Sequence, residues 1–308
     1  MINSLIDLLD CLQSEEDCRE FLEAIRWDGG STPICPHCGS QSKEHYKLTN
    51  GGQYRGLHKC KDCNKRFTVT VGTMFEGSHI PLRKWFVAIY MFLAHKKGIS
   101  SMQLHKDIAV TQKTAWFMLS RIRYNLRNIK YIIYGDVTQV DETFIGGKNK
   151  NRNASKRLKN TRGRSLKLKT PVMGMLSNGR VYTEVIPKAS KWVLQRAINT
   201  FVPKGSTVVT DGWYGYKGLS ENYEHRVVDH HRGEYVKDHY HTNSIEGFWS
   251  QLKRSIIGVY HLVSKKHLEL YCDEFACRYN TRDIEDGQRF GVFLTIANDR
   301  LRYCDLTL

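Results

Sequence analysis

The chain has 308 residues, 41% of them hydrophobic and 25% charged, with a formal net charge of +16 and a pI of about 9.4. This composition excludes a disordered chain, and the length allows two or three domains around a sizeable core. No run of eighteen apolar residues and no signal-peptide pattern is present, so a soluble cytoplasmic protein with no membrane partner is expected.

The excess of basic residues favours a polyanionic partner, with nucleic acid ahead of an acidic membrane surface. Nine cysteines in such a chain read as metal ligands and reduced thiols rather than disulfides. Residues 1–30 form a helical segment, with Leu5, Leu8, Leu9 and Leu12 on one face and Phe21, Leu22 and Ile25 on another. Gly29 and Gly30 end it. Two C-x2-C knuckles follow, Cys35–Cys38 and Cys60–Cys63, separated by 21 residues. Four thiolates at this spacing suit a tetrahedral structural Zn2+ with no open position for chemistry. Gly39 and Asn64 turn the chain after each knuckle, and Tyr46–Leu57 reads as a hairpin around Asn50-Gly51-Gly52, so residues 31–77 are expected to be a zinc ribbon. His37 and His58 are weaker substitute ligands.

Over residues 78–130 the period becomes helical. Pro81 suits a first helical position, and Leu82–Ala94 is apolar on most faces. A short Ser-capped helix, Ser100–Asp107, a turn at Ala109 and a longer helix, Thr111–Arg127, are arranged like a helix-turn-helix, with any three-helix bundle as the alternative. Arg121, Arg123 and Arg127 on the longer helix are candidate DNA contacts.

Strands are expected from near Tyr131. Val137–Phe144 alternates and carries Asp141, with Glu142 as an alternative ligand facing the other side. A basic insertion at 148–169 holds ten Lys or Arg and no acid. It reads as a solvated, partly disordered loop or as a segment ordered on a phosphate backbone, and it includes the candidate DNA contacts Lys148 and Lys150. A hairpin turning at Ser177-Asn178-Gly179, a helix at Ser190–Phe201, a strand delivering Asp211, another at Arg226–Asp229 and a helix from Asn243 come next. That last helix places Asn243, Glu246, Ser250 and Lys253 on one face beside an apolar stripe of Ile245, Phe248, Trp249, Leu252 and Ile256; Arg254 is a further DNA-contact candidate. Residues 286–308 read as an uninformative tail.

Three antiparallel-type strands, a crossover helix and two further strands describe an α/β, RNase H-like domain over 131–285, preceded by the ribbon and the helix-turn-helix-like region. In such a sheet Asp141, Asp211 and Glu246 converge, and three carboxylates suit Mg2+ or Mn2+. Each acid taken alone also reads as a turn cap or a solvated acid. His230 and His241 are near this site in sequence, and Trp213, Tyr214 and Trp249 are candidates for stacking on DNA or for core packing.

The motifs CPHC, KCKDC, VDETFIGGK, TDGWYGY, HTNSIEGFWSQLKR and DEFACRYNTR together resemble insertion-sequence DDE transposases of the zinc-ribbon, ISXO-like group, over nearly the whole chain. The resemblance implies that Asp141, Asp211 and Glu246 are the catalytic, magnesium-binding triad and that Lys253 is their basic companion. It also implies action on terminal repeats and target DNA, a homodimer or larger assembly, and a nucleoid-associated location. Two rivals stay open: a non-catalytic zinc-ribbon DNA-binding regulator, and an RNase H-like nuclease without strand transfer.

Overall fold

A computed structural model describes residues 2–27, 29–50, 53–127, 135–159, 161, 165–229, 232–234 and 236–307. The expected strand start near Tyr131 and the candidate His230 lie outside them. The chain divides into two compact units, Met1–Ile129 with Asp283–Leu308, and Lys130–Arg282.

The first unit begins with α1 (Leu5–Cys11) and α2 (Glu15–Arg26). Both start in capping boxes, Ser4 with Asp7 and Ser14 with Asp17, which explains the acidic residues in that stretch. The ribbon is an antiparallel sheet of β1 (Tyr46–Asn50), β2 (Gln53–Lys59) and β3 (Arg66–Phe67). Its knuckles turn through left-handed Gly39 (φ +75°) and Asn64 (φ +59°). The apolar helix α3 (Leu82–Ala94) is followed by α4 (Ser101–Asp107), capped by Ser100, and α5 (Gln112–Leu126), capped by Thr111. Ala109 between them takes a left-handed φ of +49°, which closes the tight turn.

The second unit is built on a five-stranded sheet in the order β6-β5-β4-β7-β8. Strands β4 (Val137–Gly146), β5 (Lys169–Ser177) and β6 (Arg180–Val185) form an antiparallel meander. The meander turns through Asn178 and Gly179, both left-handed. After α6 (Lys191–Phe201), strands β7 (Thr207–Asp211) and β8 (Glu224–Val228) add in parallel beside β4. This is the RNase H-like arrangement. One sheet face packs Val140, Met173, Met175 and Val208 against α6. The other packs Ile145, Val172 and Leu176 against α7 (Asn243–Ser255) and α8 (Leu268–Asn280). The exposed edge of β6 is closed by Asn280, whose side chain accepts from Val181 N at 2.7 Å and donates to Val181 O at 2.8 Å.

Two expectations are corrected here. Residues 286–308 are not a tail: α9 (Asp286–Ile296) packs Phe290 among Phe21, Phe86 and Tyr90, and the short α10 (Tyr303–Thr307) follows. Gly287 and Gly291 blur the periodicity of α9, and Gly287 permits an approach so close that a Cβ there would meet the carbonyl of Ile2 at 1.8 Å. Arg121 and Arg123 are not on a DNA-facing surface either. They are 4% and 1% exposed. Arg121 donates to the carbonyls of Leu301 (2.8 Å) and Met74 (2.7 Å), and neighbouring Asn125 exchanges hydrogen bonds with the backbone of Asp299. The arginine ties α5 to the returning C-terminal segment. Arg121→Ala is therefore expected to destabilise the first unit by about 2–4 kcal/mol, because buried carbonyls lose a charged donor. Thermal unfolding checks this; unchanged melting with weakened DNA binding would contradict it.

Candidate active site and zinc centre

The four cysteines form one cluster whose sulfurs lie within 4.8 Å of one another. Cys35 and Cys63 sulfurs are 3.7 Å apart, and those of Cys38 and Cys60 are 3.6 Å apart. Tetrahedral zinc with Zn–S bonds of ~2.3 Å sets sulfurs about 3.8 Å apart, so the donor set fits the ion. Burial pushes the Cys60 thiol up, but the N–H groups of Cys63 and Asp62 and the neighbouring sulfurs bring it down to about 6, which favours the thiolate that zinc binds. The ring of His45 links the knuckles, contacting Ser40 O through Nε2 and accepting from Lys61 N at Nδ1. His58, fully buried, stacks on Phe67 and meets the edge of Trp27. Burial lowers its pKa to about 4, so it is a neutral core ring rather than a ligand. His37 is exposed and contacts Arg66 O.

In the second unit, β4 and β7 pair in parallel at Gln139 and Val209. Continued by two residues, this register sets Asp141 level with Asp211, and strand alternation turns both to the face that α7 covers. Asp141 Oδ1 accepts from Glu142 N at 2.8 Å, and Asp211 Oδ1 accepts from Trp213 N at 3.1 Å. Glu246 lies on the exposed side of α7, where Thr242 Oγ1 donates to its Oε1 at 2.9 Å. Burial lifts the Asp141 carboxyl most; the charges of Glu142, Asp211 and Glu246 push the same way, to about 7, against the Glu142 N–H. These carboxylates share one electrostatic environment. Among the described residues the four cysteines are the one group of three or more side chains drawn together closely enough to hold a metal ion as they stand. Glu142, as expected, faces away: it is buried and accepts from the Tyr216 hydroxyl at 2.7 Å.

Helix α7 is held over the acids by contacts that motif reading did not single out. Gln139, two residues before Asp141, accepts from Ile245 N at 3.2 Å and lies 3.4 Å from the ring of His241. Gly174 is the β5 partner of Asp141, and a Cβ there would come within 2.5 Å of the Trp249 ring and 3.1 Å of Ile245. Trp249 is thus a core residue, 3% exposed. Trp213 is half-buried against Tyr216, whereas Tyr214 is 71% exposed three residues past Asp211. A further acid, Asp229, follows β8 and sits 3.7 Å from where a Cβ on Gly212 would be, while pairing with Arg232 at 3.3 Å. Its signal in the sequence was its position just past a strand paired with β7.

Lys253 remains exposed on α7. Burial of its stem lowers its pKa, nearby Asp141 raises it, and Lys169 lowers it again, so it is placed between an acid and a base. Arg254 is exposed, with Nε donating to Ser250 O. Lys148 and Lys150 are exposed in the basic insertion. Arg127 is partly buried in the first unit, 3.4 Å from Asp299 and over the Tyr124 ring.

An RNase H-like unit with acids on two adjacent parallel strands, a third on the covering helix and a preceding cysteine ribbon has the architecture of a DDE transposase. Residues 133–280 match the ISXO2-like transposase domain and residues 13–66 the transposase zinc-ribbon domain. The chain is 32% identical over 277 residues, spanning 86% of it and 90% of the relative, to an uncharacterized protein in the transposable element ISH50 of Halobacterium salinarum. It is 29% identical over 106 residues, 34% of this chain and 85% of the relative, to an uncharacterized transposase-like protein of Haemophilus influenzae. The chain belongs to the ISXO2-like transposase family. A solved Mos1 transposase paired-end complex with left transposon end shares 10% identity at a TM-score of 0.27, covering 70% of this chain and 80% of that one, a score that carries no structural argument. No helix among the described residues is long and apolar enough to cross a membrane.

Two outcomes follow from this geometry. Gly174→Ala is expected to cost the second unit about 1–3 kcal/mol through overpacking against Trp249, with partial recovery in Gly174→Ala/Trp249→Leu; melting of the three proteins tests it. The pH dependence of the protein without added divalent ion tests the raised Asp141 pKa. Stability from protonated Asp141 is complete below the unfolded value near ~3.9 and is lost as pH rises through about 7. Asp141→Asn should therefore melt progressively above the parent from pH 5 to pH 8, by on the order of 1–2 kcal/mol at the upper end. A difference independent of pH would contradict the shift.

Proposed function

We propose that this transposase binds the terminal repeats of its element, cleaves a phosphodiester bond at each end and joins the freed 3′ hydroxyls to target DNA, at a two-metal site held by Asp141, Asp211 and Glu246. The observation that carries the reading is the placement of Asp141 and Asp211 on adjacent parallel strands, on the sheet face packed by the helix that bears Glu246. An all-oxygen donor set suits Mg2+ or Mn2+, and bound cations relieve the repulsion that lifts the Asp141 carboxyl. When bound, such ions supply an activated water and stabilise the leaving oxygen.

The chain's own residues orient the DNA. Thr242 fixes the Glu246 carboxylate, and Gln139 anchors the start of its helix on the strand of Asp141. Lys253 contacts a phosphate beside the scissile bond. Tyr214 offers an exposed ring on which a base at a distorted end stacks. In the helix-turn-helix-like pair, Gln103 and Lys106 are exposed on α4 together with Met102 and Asp107, and Gln112 and Lys113 are exposed at the start of α5. The first turn of a second helix is where such motifs meet base edges, so these side chains take the DNA-reading role in place of buried Arg121 and Arg123. Joining two ends in one event calls for a homodimer or larger assembly.

The test is a strand-transfer assay with a labelled duplex from the boundary of the protein's own element, a plasmid target and Mg2+. Joined products are expected from the parent protein and a loss of at least ~10³-fold from Asp211→Asn and from Glu246→Gln, with DNA binding retained. Cutting without joining would replace this reading with a nuclease. Binding without cutting, the same in all three proteins, would replace it with a regulator.

A further inference from the structure

A cleft lies at the far end of β4, away from the strand segment that carries Asp141. Its walls come from the end of β4 with the start of the basic insertion, the insertion's return into β5, and the turn that follows α7; the cavity measures about 450 Å³. Five cationic side chains line it, Lys148, Arg152, Lys167, Lys169 and Lys265, together with His261, and among the described residues no acid does. Like charges converging on one cavity repel, and a polyanion removes that cost.

The cleft is built rather than a chance gathering of mobile lysines. Asn149 clamps the insertion, donating from Nδ2 to Leu158 O at 2.8 Å and accepting from Leu158 N at 3.1 Å. Arg157 donates to the carbonyls of Arg152 and Lys150. The opposite wall is turned into place by a π-helical stretch, Ile256–Tyr260, that runs into His261 at a left-handed φ of +59°. Both features are unfavourable for ordinary residues and persist where surrounding structure holds them. At the lips, Leu166 and Leu262 are 53% and 70% exposed, apolar surfaces that suit the face of a sugar or base.

We propose that this cleft is a second DNA-backbone site, which grips the strand about five nucleotides from the phosphate held at Asp141. The spacing comes from the fold: the five residues from Asp141 to Gly146 extend about 17 Å at ~3.4 Å each, and a DNA strand rises ~3.4 Å per nucleotide. Lys253 provides the step between the two sites, since it stands exposed on α7, the helix whose following turn forms one wall of the cleft. The inference rests on the DNA-acting reading above and adds where the strand runs after leaving the acids.

The experiment measures binding of a fluorescent 30-bp duplex of arbitrary sequence across a salt series, using the full-length protein. Arg152→Glu/Lys265→Glu changes two cleft residues. Lys188→Glu/Lys204→Glu makes the same charge change at exposed positions of the same unit outside the cleft. The cleft variant should bind at least ~10-fold more weakly at moderate salt and lose about 1.8 from the slope of log K against log salt, that is two phosphate contacts at ~0.9 each. The control should lose less than ~3-fold, the share due to the general field. Arg152→Gln/Lys265→Gln, with melting measured alongside, guards against a folding defect and should reproduce the slope change. Equal losses in the cleft and control variants, with the parent binding normally, would overturn the cleft alone. A parent protein without salt-sensitive duplex binding would overturn the DNA-acting reading as well.

Discussion

The second unit depends on how closely α7 approaches the sheet. A helix bearing Glu246 is seated across β4 and β5, on the sheet face to which Asp141 turns, and the seat is a missing side chain. Gly174 leaves room for the Trp249 ring directly beside the strand position of Asp141. Gln139 then fixes the helix start by accepting from Ile245 N. The stripe Ile245, Phe248, Trp249 and Leu252 is buried, so the flanking face, with Glu246 and Lys253, has its direction set by packing rather than by its own charges. Polar residues at such a site are expensive to gather, and the upward shift of Asp141 is the electrostatic expression of that cost.

The ribbon solves a different problem. Its three short strands enclose little apolar surface, and a small sheet of this kind needs a staple. The four sulfurs supply one, and the surrounding hydrogen bonds hold them in position before any ion is considered. Beneath them, Phe67 and the neutral ring of His58 form a small aromatic core with Trp27 from the end of α2. The N-terminal helices are thus part of the support of the ribbon rather than a separate appendage.

The positive charge of the chain divides into two populations. Some arginines are structural: Arg121 serves the carbonyls of Met74 and Leu301, and Arg278 pairs with the fully buried Glu274, which also accepts from Tyr260. Other basic residues stand exposed, among them Arg152 and Arg157 in the insertion and Lys265 and Lys266 beyond the turn after α7. Only the second population can neutralise phosphate. An arginine on a helix reads the same in either role, because its planar donor fork suits a backbone carbonyl as well as a phosphate oxygen.

Features set by neighbours along the chain were therefore legible in the sequence. The paired knuckles, the turn residues Gly39, Asn64, Asn178 and Gly179, the alternation around Asp141 and the apolar stripe of α7 are all consequences of short-range geometry, and the order of strands and helices was enough to indicate an RNase H-like sheet. What only the tertiary structure decided was which surfaces are covered. Burial of Arg121 and Arg123, docking of Phe290 in a segment whose glycines hide its helical period, the use of Gly174 as a seat for Trp249 and the folding of the basic insertion into one wall of a cleft all require partners distant in the sequence, or the loss of a side chain whose value appears only when another ring fills its space. Periodicity and spacing record what a residue needs from its own strand or helix; they carry no record of what packs against it.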